Sequence, residues 1–230
     1  QKRGGWAAGA FLCMPFCCTT SAVLEPSSTK KMPKVAIVYY SMYGHIRALA
    51  EEIKKGLESS GCDVTFLRVP ETLSDEILGK MHAPPKADDV EATADMLTEY
   101  DGIMFGLPTR FGMAAGQMKA FMDSTGGLWQ KGALVGKPAG VFFSTATQNG
   151  GQETTGFTFL TQLTHHGMIF VPLGYSTTDL FNNEEVHGGS PYGCGTLAGP
   201  DGSRMPSDLE KKIATHHGSH FGGIVGKLTK

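Results

Sequence analysis

Three polar stretches, each placed directly after an apolar run, carry the side chains with which this sequence could do chemistry. The first is Ser41-Met42-Tyr43-Gly44-His45-Ile46, which offers a hydroxyl, a glycine that lets the backbone turn, and the start of a helical pattern. A helix start presents free N–H groups and the positive end of the dipole, which suits one terminal phosphate. The stretch has no Lys, so it is not a Walker A loop, and it lacks the G-x-G-x-x-G fingerprint of dinucleotide folds. The same residues would serve equally well as an ordinary turn in which Ser41 caps a helix. The second stretch, Pro108-Thr109-Arg110-Phe111-Gly112, could let a flat ring lie against the backbone, with Arg110 placing a cation near an anionic ring or a phosphate. The third runs Ser144-Thr145-Ala146-Thr147-Gln148-Asn149-Gly150-Gly151-Gln152-Glu153 and is rich in hydroxyls and turn formers.

The elements that must hold these stretches alternate. Val35 to Tyr40 is a continuous β-rich run, as a strand buried on both faces requires. Ile46, Leu49, Ala50, Ile53 and Leu57 follow at helical spacing, with Glu51, Glu52, Lys54 and Lys55 on the other side. Val64, Phe66 and Val69 mark a second strand, Gly102 to Leu107 a third, Ala139 to Phe143 a fourth and Met168 to Val171 a fifth. Helices are expected over 90–100, 114–124 and 154–166, and a charged, Pro-containing loop over 70–87. A Gly-rich segment, 174–206, precedes a last helix that opens with Pro206 and a capping box from Ser207 to Glu210. The alternation predicts an α/β fold, a doubly wound parallel five-stranded sheet in the order 2-1-3-4-5 with helices on both faces. In such sheets ligands sit beyond the carboxyl ends of the strands, where the three polar stretches converge. Together they describe a site for a mononucleotide with a large planar base, and FMN fits best.

Several longer motifs then place the chain beside a known family. Tyr39-Tyr40-Ser41-Met42-Tyr43-Gly44-His45-Ile46, Gly106-Leu107-Pro108-Thr109-Arg110-Phe111-Gly112, Gly126-Gly127-Leu128-Trp129 and His165-His166-Gly167-Met168 resemble the signatures of the WrbA-type NAD(P)H:quinone oxidoreductases, which are flavodoxin-like proteins. Gly188 to Gly193 and Asp201 to Arg204 resemble that family as well, so the likeness spans about residues 34–228. The resemblance implies FMN phosphate contacts at Ser41, Met42, Tyr43, Gly44, His45 and Ile46, with Tyr43 also lining the nicotinamide and quinone side. It implies flavin-ring contacts at Pro108, Thr109, Arg110 and Phe111, and further FMN contacts along Ser144, Thr145, Ala146, Thr147, Gln148 and Asn149. It also implies a flavin-facing role for His165, a substrate-stacking role for Trp129, and a homotetramer whose sites borrow residues from neighbouring copies. The implied reaction is ping-pong hydride transfer from NADH or NADPH through FMN to a quinone. One departure stands out: Ala146, Gln148 and Asn149 occupy a run that is glycine-rich in the family, with one residue inserted. Read without the family, Trp129 would be a core or oligomer-contact residue, and His165 would complement a helix dipole. No metal site is expected, although His216 and His220 stand four apart on the last helix.

Composition sets the outer bounds. The chain has 230 residues, 40% apolar and 18% charged, with a net charge of −2, which does not suit a nucleic-acid-binding domain. Residues 1–34 carry Lys2, Arg3, Lys30, Lys31 and Lys34 against Glu25, leaving a net −6 for the remainder. The first 31 residues are therefore expected to form an extension, disordered or targeting, ahead of an FMN-binding domain over 32–230. Their layout of basic start and short apolar centre is like that of a signal peptide, but too short to span a bilayer. Cys13, Cys17, Cys18, Cys62 and Cys194 follow no disulfide or zinc spacing and read as reduced thiols. A cytoplasmic protein, at most peripheral at a membrane, is expected. The 31 glycines are about twice the usual share of roughly 7%, and 20 of them fall in residues 102–202. Two other functions share these features: a flavodoxin-type electron carrier, and a non-enzymatic adaptor at a membrane surface.

Overall fold

The computed structural model describes residues 32–229. The expected extension over 1–31 lies outside them, as do Cys13, Cys17 and Cys18. Eight strands form the sheet: β1 (Lys34–Tyr39), β2 (Asp63–Arg68), β3 (Val90–Glu91), β4 (Gly102–Arg110), β5 (Met113–Ala114), β6 (Pro138–Thr145), β7 (Ile169–Phe170) and β8 (Gly195–Leu197). Six α-helices complete the described chain: α1 (His45–Ser59), α2 (Asp75–Lys80), α3 (Gly116–Asp123), α4 (Gly126–Lys131), α5 (Gln152–His165) and α6 (Asp208–Leu228). The main sheet runs β3-β2-β1-β4-β6-β7, and every pairing along it is parallel.

The expected five-strand order is present at its centre, as β2-β1-β4-β6-β7, but three further pieces enlarge it. β3 extends the edge beside β2, and β5 folds back on β4. The outer edge of β6 is shared: β7 pairs with Pro138 and Ala139, while β8 pairs with Phe143, Ser144 and Thr145. The last strand position is thus split in two, with residues 171–194 looping out between the halves. That insertion accounts for the long Gly-rich segment, and β8 delivers its end to the carboxyl edge of the sheet.

Alternation within β1 sorts the core into two layers. Ala36 and Val38 pack with Met118, Phe121, Phe159 and Leu163 from α3 and α5. Val35 and Ile37 pack with Leu49, Ile53, Ile213 and Phe221 from α1 and α6. Each of the larger of these side chains, fully buried, contributes roughly 1.5–3 kcal/mol. α1 and α6 approach closely because Gly56 and Gly218 face each other's backbones: a Cβ on Gly218 would lie 2.1 Å from the Ile53 carbonyl.

Four elements differ from expectation, each for a local reason. The helix expected over 90–100 is β3 followed by a short 3-10 turn, Asp95–Glu99, because Ala92 N–H donates to the Arg68 carbonyl at 2.8 Å and Glu91 pairs with Arg68. The loop expected over 70–87 contains α2, whose Ser74 hydroxyl caps the Ile77 N–H. α3 starts at Gly116 rather than Ala114, which belongs to β5. α5 starts at Gln152, two residues early, since Gly151 at φ +90° turns the chain directly into the helix. The capping box on α6 is present, with the Ser207 hydroxyl accepting from Glu210 N–H and the Glu210 carboxylate accepting from Ser207 N–H.

Candidate active site

A cleft of about 420 Å³ opens where the loops after β1, β4, β6 and β8 meet. That volume lies within the roughly 300–1,000 Å³ of small-molecule sites. Ser41, Met42, Tyr43, His45 and Ile46 form one wall, Pro108, Thr109 and Arg110 the second, and Ser144, Thr145 and Ala146 the third. The fourth wall, Ala198 to Gly202, is absent from the sequence-based site. Its sequence signals are a run of turn formers, Gly199-Pro200-Asp201-Gly202, and the family-like stretch Asp201 to Arg204, to which no cleft role is given.

The β1 wall is shaped for an anion. Gly44 precedes α1 at φ +91°, a conformation that favours glycine, and no side chain caps the helix. The first-turn N–H groups therefore face the cleft end without a side-chain acceptor, apart from a long 3.4 Å contact between Arg47 N–H and the Ser41 hydroxyl. His45 is only 6% exposed, lines the cleft, and its Nε2 has no partner. A buried polar atom without a partner costs roughly 1–3 kcal/mol unless a ligand satisfies it. A phosphate at this helix start would accept from the free first-turn N–H groups, and the residues present therefore fit FMN.

The second wall is a strained hairpin. β4 and β5 are joined by Phe111 and Gly112, both at positive φ (53° and 76°), as a two-residue type I′ turn demands. Phe111 is fully exposed at the tip, in a conformation that costs a bulky residue of order 1–2 kcal/mol. Thr109 anchors the turn: its hydroxyl bonds Thr155 at 2.6 Å and accepts from Gly112 N–H at 3.2 Å. Arg110 donates to the Thr109 carbonyl at 2.8 Å and stays at the cleft. Tyr43 leans across to the Met81 carbonyl at 3.3 Å and keeps 44% of its surface exposed.

Beneath these walls, Tyr40 donates to the Glu71 carboxylate at 3.0 Å. Burial would raise Glu71, but N–H groups of Leu73 and Thr72, the Gln117 amide and Lys86 outweigh it and hold Glu71 at about 2. Burial, then the Glu71 charge, pushes the Tyr40 phenol well above its ordinary value.

Part of the expected site lies elsewhere in the single chain. Thr147, Gln148 and Asn149 line a neighbouring polar pocket of about 370 Å³, with Gln152, His187 and Ser190. In that loop Asn149 takes φ +56° to make its turn. Trp129 and His165 are brought together, but in a third pocket of about 260 Å³ with Thr125, Gln162 and His166. Neither lines the cleft of its own chain, because α4 and the end of α5 carry them away from the carboxyl edge of the sheet. In that pocket His166 Nε2 bonds the Thr125 hydroxyl at 2.8 Å, and burial, with His165 nearby, lowers the His166 pKa.

A doubly wound parallel sheet with an uncapped helix start at its carboxyl edge makes this a flavodoxin-like α/β protein. Comparison with known proteins narrows the class: the chain belongs to the NADPH-dependent FMN reductase family, whose model matches residues 33–183. It is 64% identical over 197 residues to "Quinone-oxidoreductase QR2" of Triphysaria versicolor, an alignment covering 85% of this chain and 96% of that one. It is 57% identical over 197 residues to "NAD(P)H quinone oxidoreductase PST3" of Candida albicans, covering 85% and 99%. Among solved structures, a flavodoxin, WrbA-like protein from Agrobacterium tumefaciens matches with a TM-score of 0.60 at 22% identity, covering 85% of this chain and 98% of that one. That last likeness is one of fold.

Proposed function

We propose that the chain is an FMN-dependent NAD(P)H:quinone oxidoreductase working at the cleft between the β1, β4, β6 and β8 loops. The observation that carries this reading is the uncapped, glycine-led start of α1 at the cleft, in a chain closely similar to named quinone oxidoreductases. FMN, when bound, supplies two-electron chemistry, passing a hydride equivalent from NADH or NADPH to a quinone that leaves as hydroquinone after taking up a solvent proton.

The protein binds, orients and shields. Ser41, the first-turn N–H groups and His45 hold the phosphate end. Pro108, Thr109, Arg110 and Phe111 flank the ring, and Tyr43 offers its exposed ring on the side that nicotinamide and quinone use in turn. Thr145 and Ala146 close the opposite wall. Trp129 and His165 serve the cleft of another copy in a homotetramer, Trp129 as a stacking surface and His165 as a hydrogen-bonding group. No described helix is long and apolar enough to cross a membrane, and the reading places the enzyme in the cytoplasm with at most peripheral membrane contact.

Purified protein should be yellow, should release FMN on denaturation, and should turn over NADH with benzoquinone in stopped flow. Flavin reduction without quinone turnover would leave the electron-carrier function instead. A colourless protein that FMN cannot reconstitute would overturn the cofactor assignment.

A further inference from the structure

We infer that Glu210 is a positioning residue for the cofactor cleft, acting through the wall formed by Ala198 to Gly202. The inference rests on the reading above that this cleft holds FMN. Glu210 belongs to the first turn of α6 and is completely buried, yet every contact to its carboxylate comes from a donor. Gly188 N–H donates at 2.8 Å, the Thr196 hydroxyl at 2.8 Å, Leu197 N–H at 3.2 Å and Ser207 N–H at 2.8 Å. Arg204 Nη1 completes the set at 2.9 Å.

A capping box needs one of these bonds, from Ser207. The others reach out of the helix and grip both ends of the segment that builds the fourth wall. On the β8 side, Thr196 and Leu197 are held directly. On the far side, Arg204 is held by Glu210 and itself donates to the Leu197 carbonyl at 2.6 Å and the Val186 carbonyl at 3.0 Å. Arg204 N–H also closes onto the Ala198 carbonyl at 2.9 Å, and Ala198 N–H onto the Thr145 carbonyl at 2.8 Å. Gly199 to Gly202 therefore hang between two fixed points, against the cleft and opposite Ser41 to Ile46. A buried carboxylate joined by a charge-assisted bond to Arg204 is stronger than neutral pairing, and losing one partner leaves the rest unsatisfied. Between those points the wall is held by short local contacts, Gly202 N–H to the Gly199 carbonyl at 3.2 Å and Ser203 N–H to the Asp201 carboxylate at 3.1 Å, and Pro200 to Gly202 are exposed.

The test uses Glu210→Gln in the full chain. Gln keeps the shape but turns an NH2 toward donors. Hydrogen exchange of the flavin-stripped protein and the Kd for FMN by fluorescence quenching are read together. Expected are faster exchange confined to residues 186–204, unchanged protection in β1, β4 and β6, and an FMN Kd raised by about tenfold or more. Val225→Ala, which removes buried packing where the far end of α6 meets Gly102 at the start of β4, away from the wall and the cleft, should leave the Kd unchanged and so separates positioning from general destabilisation. Thr196→Val, which deletes one donor to Glu210, is read in the same way if Glu210→Gln does not fold. Faster exchange without a change in Kd, or no change in exchange over 186–204, overturns the inference. Gly44→Val is the control for the cleft itself: if it leaves FMN binding intact, the cleft reading fails, whereas its loss of binding beside an unaffected Glu210→Gln overturns Glu210's role alone.

Discussion

His217 shows how a single buried side chain sets an acid limit. It is fully buried in α6, and its Nδ1 accepts the Cys194 N–H at 3.3 Å, so the ring proton sits on Nε2, which has no partner. Burial first, then the neighbouring His220 and His216, lowers its pKa to about 3. An unfolded histidine titrates near 6.5, so between about pH 6.5 and 3 the unfolded chain binds a proton that the folded chain refuses, and stability falls as pH falls. His217→Gln should flatten that limb: between pH 7 and 5, the wild type should lose about 2 kcal/mol more than the variant in urea melts. Glu71, held at about 2, acts in the same direction but only below its ordinary range near 4.5, outside that window. Phe111 makes the opposite kind of statement. A bulky, fully exposed ring at φ +53° is strain kept at the tip of the hairpin whose Thr109 and Arg110 line the cleft. Phe111→Asn, which tolerates that turn, should stabilise the flavin-stripped protein by about 1 kcal/mol in thermal melts while raising the FMN Kd. Both residues were visible in the sequence as types; neither the burial of His217 nor the strain at Phe111 was.

Elements were legible where periodicity and packing agree. The six-residue β1 run, the stripe from Ile46 to Leu57 and the Ser207–Glu210 box each appear within a residue or two of expectation. Where a short segment had competing partners, tertiary pairing decided: residues 90–91 have a helix-compatible neighbourhood but join β2 as an edge strand. Glycines give this scale its sharpest test. Gly218→Ala pushes a methyl to 2.1 Å from the Ile53 carbonyl and should cost about 1–3 kcal/mol by separating α1 from α6. Gly223→Ala, in the same helix with open space around it, should be neutral or stabilising by about 0.5–1 kcal/mol. Equal melting temperatures for the two variants would contradict the close helix contact.

At the scale of the whole molecule, one chain holds a cleft and, separately, a Trp129–His165 pocket that faces none of its own cleft residues. If another copy brings that pocket to the cleft, Trp129→Ala should lower kcat/KM for quinone by about tenfold while leaving FMN retention unchanged. Wild-type specific activity should also fall on dilution, in step with loss of the oligomer measured by light scattering. Equal loss of FMN and quinone use in Trp129→Ala would contradict a substrate-side role. The division between sequence and structure follows from the range of the forces involved. Local rules and motifs alone determined the α/β alternation, the parallel sheet and the family, because period, caps and turn residues act over a few positions. Only the tertiary structure decided that the fifth strand is split between β7 and β8, that Ala198 to Gly202 form the fourth wall, and that Trp129 lies apart from the cleft. Each depends on backbone bonds between residues far apart in the chain, such as Ala198 N–H to the Thr145 carbonyl, which no local spacing encodes.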